Sequence, residues 1–322
     1  MSNSSLPRHL LELARKGSAP YPLTAIGRRA RFDDCRDHPI DGGQIWRATW
    51  DDVALLVLVT GVEHAEIEAI PVTLDPGAED AESVVLEPAL TAFGVGVTLW
   101  VGLRTTLPFR VLDEIIDEIP NQIASWVTAA TTDSRLPRPK GVQLGRPPET
   151  SFDSSVTIRT GVEDDLEALR ATPALPIAKR PERVTRTLAS ILGRAVDLKV
   201  LVGALSRHGL SQSDVMSLLR GKRPLTPDLV DTITRVTGVE PALIAEAVQP
   251  LPVEFVEEVD HPRWRPIWRK RVHDEGLDEA TARLRASYEM FALAARQTGS
   301  RTPDWSARLA QFRQSRSEPE TS

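Results

Sequence analysis

Gln212, Ser213 and Met216 stand at i, i+1 and i+4, with Arg220, Lys222 and Arg223 just beyond them. On one helical face, such a trio offers a bidentate amide, a hydroxyl and a thioether that can touch a thymine methyl. Those groups read base edges in a DNA major groove. The cations that follow suit phosphate oxygens, where charge supplies the attraction. Lys199, Arg207 and Ser217 complete the expected phosphate-contacting set with Arg220, Lys222 and Arg223. This is the chemistry of binding double-stranded DNA. It involves no reacting group, so no catalytic residue is assigned.

Local signals predict the elements that hold these residues. Ser211 and Asp214 form an S-x-x-D pair ahead of an apolar run, which starts a helix at Gln212. Val215, Leu218 and Leu219 then face inward. Upstream, "LKVLVGALSRHGL" is a second amphipathic helix, with Leu198, Leu201, Val202 and Leu205 on one side and a stop at Gly209. His208, next to that stop, is a helix-end residue. Downstream, Gly221 and the Lys222-Arg223 loop lead to Thr226-Pro227-Asp228, a cap with proline at the first helical position. Leu229, Ile233 and Val236 continue that helix, and Gly238 ends it. Helix, short glycine turn, helix is the geometry that inserts a second helix into a major groove. The competing reading is a small helical bundle with solvated charges, an adaptor that makes only protein contacts.

"LSQSDVMSLLRGKRPLTPDLVDTITRVTGVEPALI" resembles the Xre/Cro-CI family of helix-turn-helix regulators. The match is a recognition helix, a glycine, a basic loop, a support helix and an "LGVxxxxLL"-like end, and the likeness spans about 182–248. It implies sequence-specific DNA binding, with the phosphate contacts aided by helix N-terminal amides. It also implies a homodimer on two half-sites. The family carries a small residue at the close-packing position and a Gln near the start of the preceding helix. Leu205 and Val200 take those places here, with Ala204 adjacent.

The expected fold class is α+β and multidomain. Residues 1–132 read as a small antiparallel β-barrel-like domain with flanking helices, and 133–180 as a linker rich in Pro, Gly and Ser. Residues 181–250 read as an all-α helix-turn-helix bundle, 251–314 as a helical region and 315–322 as a disordered tail. The strand signals are "GQIWRATW", "ALLVLVTG", "EIEAIPVTL", "SVVLEP" and "GVTLWVGL", short runs rich in Val, Ile, Trp and Thr. "LPRHLLELARKG" and "RVLDEIIDEIPNQIASWV" are the expected flanking helices.

Gly43-Gln44-Ile45-Trp46, the "IPVT" stretch ending at Thr73 and the R-x-x-x-P-x-x-x-L run from Arg104 to Leu112 loosely resemble the PemK/MazF family. That family is an SH3-like barrel of toxin endoribonucleases. The resemblance implies catalysis by a hydroxyl after P-[IV]-T and an arginine near the start of the second strand. Thr73 matches the hydroxyl, but Asp51 and Asp52 stand where an Arg-Pro is expected. Carboxylates there repel an RNA phosphate, so the expectation is a β domain that does not cut RNA. It would instead meet a protein or small-molecule partner. The alternative is a toxin-like endoribonuclease fused to an antitoxin-like DNA-binding part.

Bulk composition narrows the rest. One cysteine, Cys35, excludes an internal disulfide and a multi-cysteine zinc site. "DDCRDH" at 33–38 reads as a polar loop and not a metal site, and no cofactor is expected. "GVGVTLWVG" leads into a strand, so it is no dinucleotide fingerprint. The N-terminus lacks a signal-peptide pattern, and the longest apolar run, "ALLVLV", is strand-sized. No membrane partner follows, and the expected location is the cytoplasm. The net charge is −6, yet 261–316 holds 12 basic and 6 acidic residues, a hint of an anionic partner. Within it, "HPRWRPIWRKRV" is expected to pack Trp264 and Trp268 under the following helix, leaving its basic residues in water. That helix, 277–297, carries an apolar stripe of Leu277, Leu284, Tyr288 and Phe291, expected to form part of the dimer.

Overall fold

The computed structural model describes residues 38–75, 77–130, 136–150, 152–177, 187–193, 196–221, 225, 227–245, 247, 251–295 and 304–317. The expected N-terminal flanking helix, Cys35 and most of "DDCRDH" lie outside these residues, as do Lys222 and Arg223. The fold is mixed α+β. The chain divides into two compact units, Met1–Ala171 and Thr172–Ser322.

The first unit is built on eight strands: β1 (Gln44–Trp50), β2 (Val53–Glu63), β3 (Glu66–Thr73), β4 (Val84–Leu86), β5 (Val97–Leu99), β6 (Thr105–Pro108), β7 (Leu112–Glu118) and β8 (Val142–Leu144). The five expected strand runs supply β1 to β5. All pairs are antiparallel, in the order β7-β1-β2-β3-β5-β4-β8, with β6 beside the first half of β3. Among the described residues β7 and β8 do not pair with each other. The expected barrel is therefore corrected to an open sheet.

Period-two alternation sends side chains to both faces. Ile45, Leu58, Ile70 and Val72 join a core cluster with Ile123 and Val127 of α1 (Asn121–Ala130). Trp46, Val57 and Ala69, their neighbours in sequence, face the other way and are also fully buried. A second helix, α2 (Ser154–Arg170), packs against β1, β2 and β6 through Val162, Leu166 and Leu169.

Two expectations fail in this unit. "RVLDEIIDEIPNQIASWV" is not one helix, because Leu112–Glu118 is strand β7 and the helix begins only after Pro120. Its Asp113 and Asp117 are buried: Asp113 pairs with Arg47, and Asp117 accepts a hydrogen bond from the Ala92 amide at 2.6 Å. Pairing with β1 overrides a spacing that reads as helical. The span 133–180 is not a linker either, since β8 and α2 lie inside it. Residues 172–177 belong to the second unit, where Leu175 is buried in the core and the Leu251 amide donates to Pro176 O at 2.8 Å. Gly145, just past β8, donates to Ser83 O at 2.8 Å, and a Cβ there would lie 2.1 Å from Asp80 O.

The second unit is helical: α3 (Leu188–Leu192), α4 (Leu198–Ser206), α5 (Gln212–Leu219), α6 (Pro227–Thr237), α7 (Pro241–Ala245), α8 (Val253–Asp260), α9 (Arg265–Glu275), α10 (Glu279–Ala295) and α11 (Trp305–Ser317). Helices α3 to α7 share one core, including Leu188, Leu205, Val215 and Ile233. A separate core, including Phe255, Trp264, Trp268 and Leu309, joins α8 to α11. Helix α11 runs to Ser317, so the start of the expected disordered tail is helical, and 318–322 lies outside the described residues. No helix among the described residues is long and apolar enough to cross a membrane.

Candidate nucleic-acid interface

Helix α5 starts where the S-x-x-D pair predicts. Ser211 Oγ accepts from the Asp214 amide at 3.2 Å, and Asp214 Oδ2 accepts from the Ser211 amide at 3.0 Å. This reciprocal cap satisfies two otherwise orphaned donors. Val215, Leu218 and Leu219 point into the core. Gln212, Ser213, Met216 and Arg220 are exposed and Ser217 is half-buried. Exposing 42% of Met216, an apolar side chain, leaves its thioether free on the same face as Gln212 and Ser213.

The approach to α5 is equally local. Helix α4 ends in a turn at Arg207–Gly209, where Gly209 has φ of 77°, a left-handed conformation that disfavours side chains. Leu210, buried, anchors the exit. His208 behaves as a helix-end residue: its Nε2 lies 2.9 Å from Thr232 Oγ1 on α6, tying the turn to the support helix. Arg207 is exposed beside the turn, and Lys199 is exposed in the first turn of α4.

Helix α4 departs from expectation in two ways. Leu198, assigned to the buried face, is 52% exposed, because Leu201, Ala204 and Leu205 fill the interface. Val200, where the family resemblance looks for a Gln, is 56% exposed and has no hydrogen-bonding side chain for a phosphate. The helix N-termini are also less available to anions than expected. Asp197 Oδ1 accepts from the Lys199 amide at 2.8 Å, and Ser211 accepts from Asp214 in α5. Each cap brings a carboxylate to the helix end, where it competes with a phosphate for the same partial positive charge. Arg235, near the end of α6, is an exposed cation absent from the sequence-based set. Only its last-turn position could have signalled it.

The basic-aromatic stretch 261–272 is partly interior. Trp264 and Trp268 are buried and Arg269 and Lys270 exposed, as expected, but Arg265 and Arg271 are not left in water. Arg265 is buried with Glu279, its Nε donating at 2.9 Å, and Trp268 Nε1 donates to the same carboxylate oxygen at 3.2 Å. Arg271 pairs with Glu289, which raises its guanidinium pKa further above the ordinary value. Arg283 of α10 pairs with Asp260, both buried, and its Nη1 donates to Pro173 O at 2.9 Å. The stripe expected at a dimer contact is likewise covered. Phe291 packs edge-on to Phe255 at 5.5 Å and lies 5.9 Å from Trp305, while burial pushes the Tyr288 phenol pKa up.

In the first unit, Asp51 and Asp52 form the exposed turn between β1 and β2, with Asp51 at φ of 48°. Thr73 Oγ1 accepts from Trp100 Nε1 at 3.0 Å. Among the described residues no group of three or more His, Cys, Asp or Glu side chains is arranged to hold a metal ion. No protein-family model matches the chain, and no curated protein matches it.

Proposed function

We propose that this chain is a cytoplasmic, sequence-specific DNA-binding transcription regulator of the Xre helix-turn-helix type, acting as a homodimer. The α3–α7 bundle is its DNA-binding part and α5 its recognition helix. One observation carries the reading: α5 buries Val215, Leu218 and Leu219 while exposing Gln212, Ser213, Met216 and Arg220. That open face presents an amide, a hydroxyl and a thioether together, followed by a cation, the groups suited to base edges and phosphates.

In this reading Gln212, Ser213 and Met216 meet base edges. Lys199, Arg207, Ser217, Arg220, Lys222 and Arg223 meet phosphates. The cations are few and carboxylates cap α4 and α5, so one copy binds weakly. A second copy doubles the phosphate contacts over two half-sites. The α8–α11 helices stiffen the unit through their buried ion pairs.

Selection from a random duplex pool with the full chain tests the proposal. Discrete enriched sequences are the expected result. Recovery of no DNA, or of DNA without sequence preference, would overturn it.

A further inference from the structure

We infer that residues 187–247 are a module inserted into a separate helical domain, and that a paired neck at Ile177 and Leu251 lets the module open without disturbing its host. The host consists of α8–α11 and the short segment 172–177. The inference stands whether or not the module binds DNA.

The segment 172–177 precedes α3 in the chain, yet it is bonded to the helices that follow the module. Leu175 is buried in the core of Phe255, Trp264 and Trp268. Pro173 O accepts from Arg283 Nη1 at 2.9 Å, and the same guanidinium pairs with Asp260. Both members of that pair are buried, so withdrawing the carbonyl would strand a charged donor away from water. Pro176 O accepts from the Leu251 amide at 2.8 Å, and Ile177 and Leu251 form a parallel β-bridge. Leu251 is itself fully buried in the host core. The chain therefore leaves the host at Ile177 and returns to it at Leu251, one point, with residues 178–250 in between.

The module closes on itself in a matching way. Its first helix, α3, packs against its last, α7, and Leu188 and Ile244 share a core with Val215 and Ile233. No member of that core belongs to the core of the host. Among the described residues no helix of one set packs extensively against a helix of the other. Neighbouring ends and an internally buried apolar face are what domain insertion requires.

An insertion of this kind is a cooperative unit in its own right, because its opening exposes its own core and no other. Both sides of the neck stay in place meanwhile, held from the host by Leu175, Leu251 and the Arg283 bond. Had the neck belonged to the module, loss of the module core would also free 172–177. The host is thus a mount for the module's two ends, not an extension of its core.

Amide hydrogen exchange of the full chain, read peptide by peptide by mass spectrometry, tests the inference. Ile233→Ala empties part of the module core and should speed exchange across 187–247 by roughly thirty-fold or more, leaving 251–295 unchanged. Phe255→Ala should do the reverse, speeding exchange across 251–295 and in 172–177 while 187–247 keeps its protection. The segment 172–177 is the decisive reporter, since it lies before the module in sequence but is bonded to the host. If either alanine variant fails to fold, Ile233→Val and Phe255→Leu should give the same pattern at smaller amplitude. Faster exchange in 172–177 on loss of Ile233, or either variant opening both helix sets together, would overturn the inference.

Discussion

Helices α3–α7 and α8–α11 belong to one compact unit and both carry arginine and lysine, but they use them in opposite ways. Lys199, Arg207, Arg220 and Arg235 are exposed on the first set and join no ion pair among the described residues. On the second, Arg263, Arg265, Lys270, Arg271, Arg283 and Arg285 pair with Glu258, Glu279, Asp274, Glu289, Asp260 and Glu275. Six of the twelve basic residues of 261–316 therefore have an acidic partner that offsets their charge. Two of those partners, Glu258 and Asp260, lie just upstream of that window. A charge run in sequence becomes an electrostatic footprint only after the pairs are subtracted.

The sharpest way to break this contrast is through stability. Asp260→Ala strands a buried Arg283 and should cost about 3–5 kcal/mol of unfolding free energy. Arg220→Ala, on the open face of α5, should stay within about 0.5 kcal/mol of the parent. Urea denaturation of the two variants makes the comparison, and equal costs would abolish the distinction. Phe291→Ala comes next at about 3 kcal/mol, since it empties a place against Phe255 and Trp305. Its molar mass by light scattering should match that of the parent, because this stripe is covered within the chain. A loss of dimer without loss of stability would return Phe291 to an interface.

The same contrast explains what the sequence made legible. The α5 face was readable because its determinants are local: a capping pair, a glycine stop and a 3.6-residue apolar spacing, all within a few turns. So were strands β1 to β5, marked by β-branched runs and turn residues. Strand β7 was not, because Leu112, Ile115, Ile116 and Ile119 mimic a helical stripe and only pairing with β1 decides otherwise. Helix α2 did carry a signal, with Val162, Leu166 and Leu169 on one side, hidden behind the proline-rich stretch before it. The buried arginines were illegible for a physical reason. Nothing in "RWRPIWRKR" states that Glu279 and Glu289 wait on the next helix.

On DNA, the largest effect should come from Gln212, proposed above to read a base. Gln212→Ala removes a bidentate amide from the first turn of α5 and should cost about 1–3 kcal/mol on a selected duplex. A scrambled duplex should bind almost as before. Fluorescence anisotropy on both duplexes provides the check. Equal losses on the two would mean that Gln212 contributes only general affinity, and that α5 does not enter the groove as proposed.

The smallest effect is also the most direct comparison of the two helix sets. Arg220 and Lys270 are both exposed cations, but Arg220 has no acidic partner among the described residues, whereas Lys270 is paired with Asp274. A cation that neutralises one phosphate releases about 0.9 counterions, so its removal lowers the log–log salt slope by about that amount. Arg220→Ala should flatten the slope to this extent on selected and scrambled duplexes alike, because phosphates carry no sequence information. Lys270→Ala should leave the slope unchanged, since its charge is already compensated four residues away on the same helix. Binding isotherms at several salt concentrations give both slopes. If Lys270→Ala flattens the slope as much as Arg220→Ala, the α8–α11 helices contribute to the nucleic-acid surface, and subtracting ion pairs is not a sound way to find it.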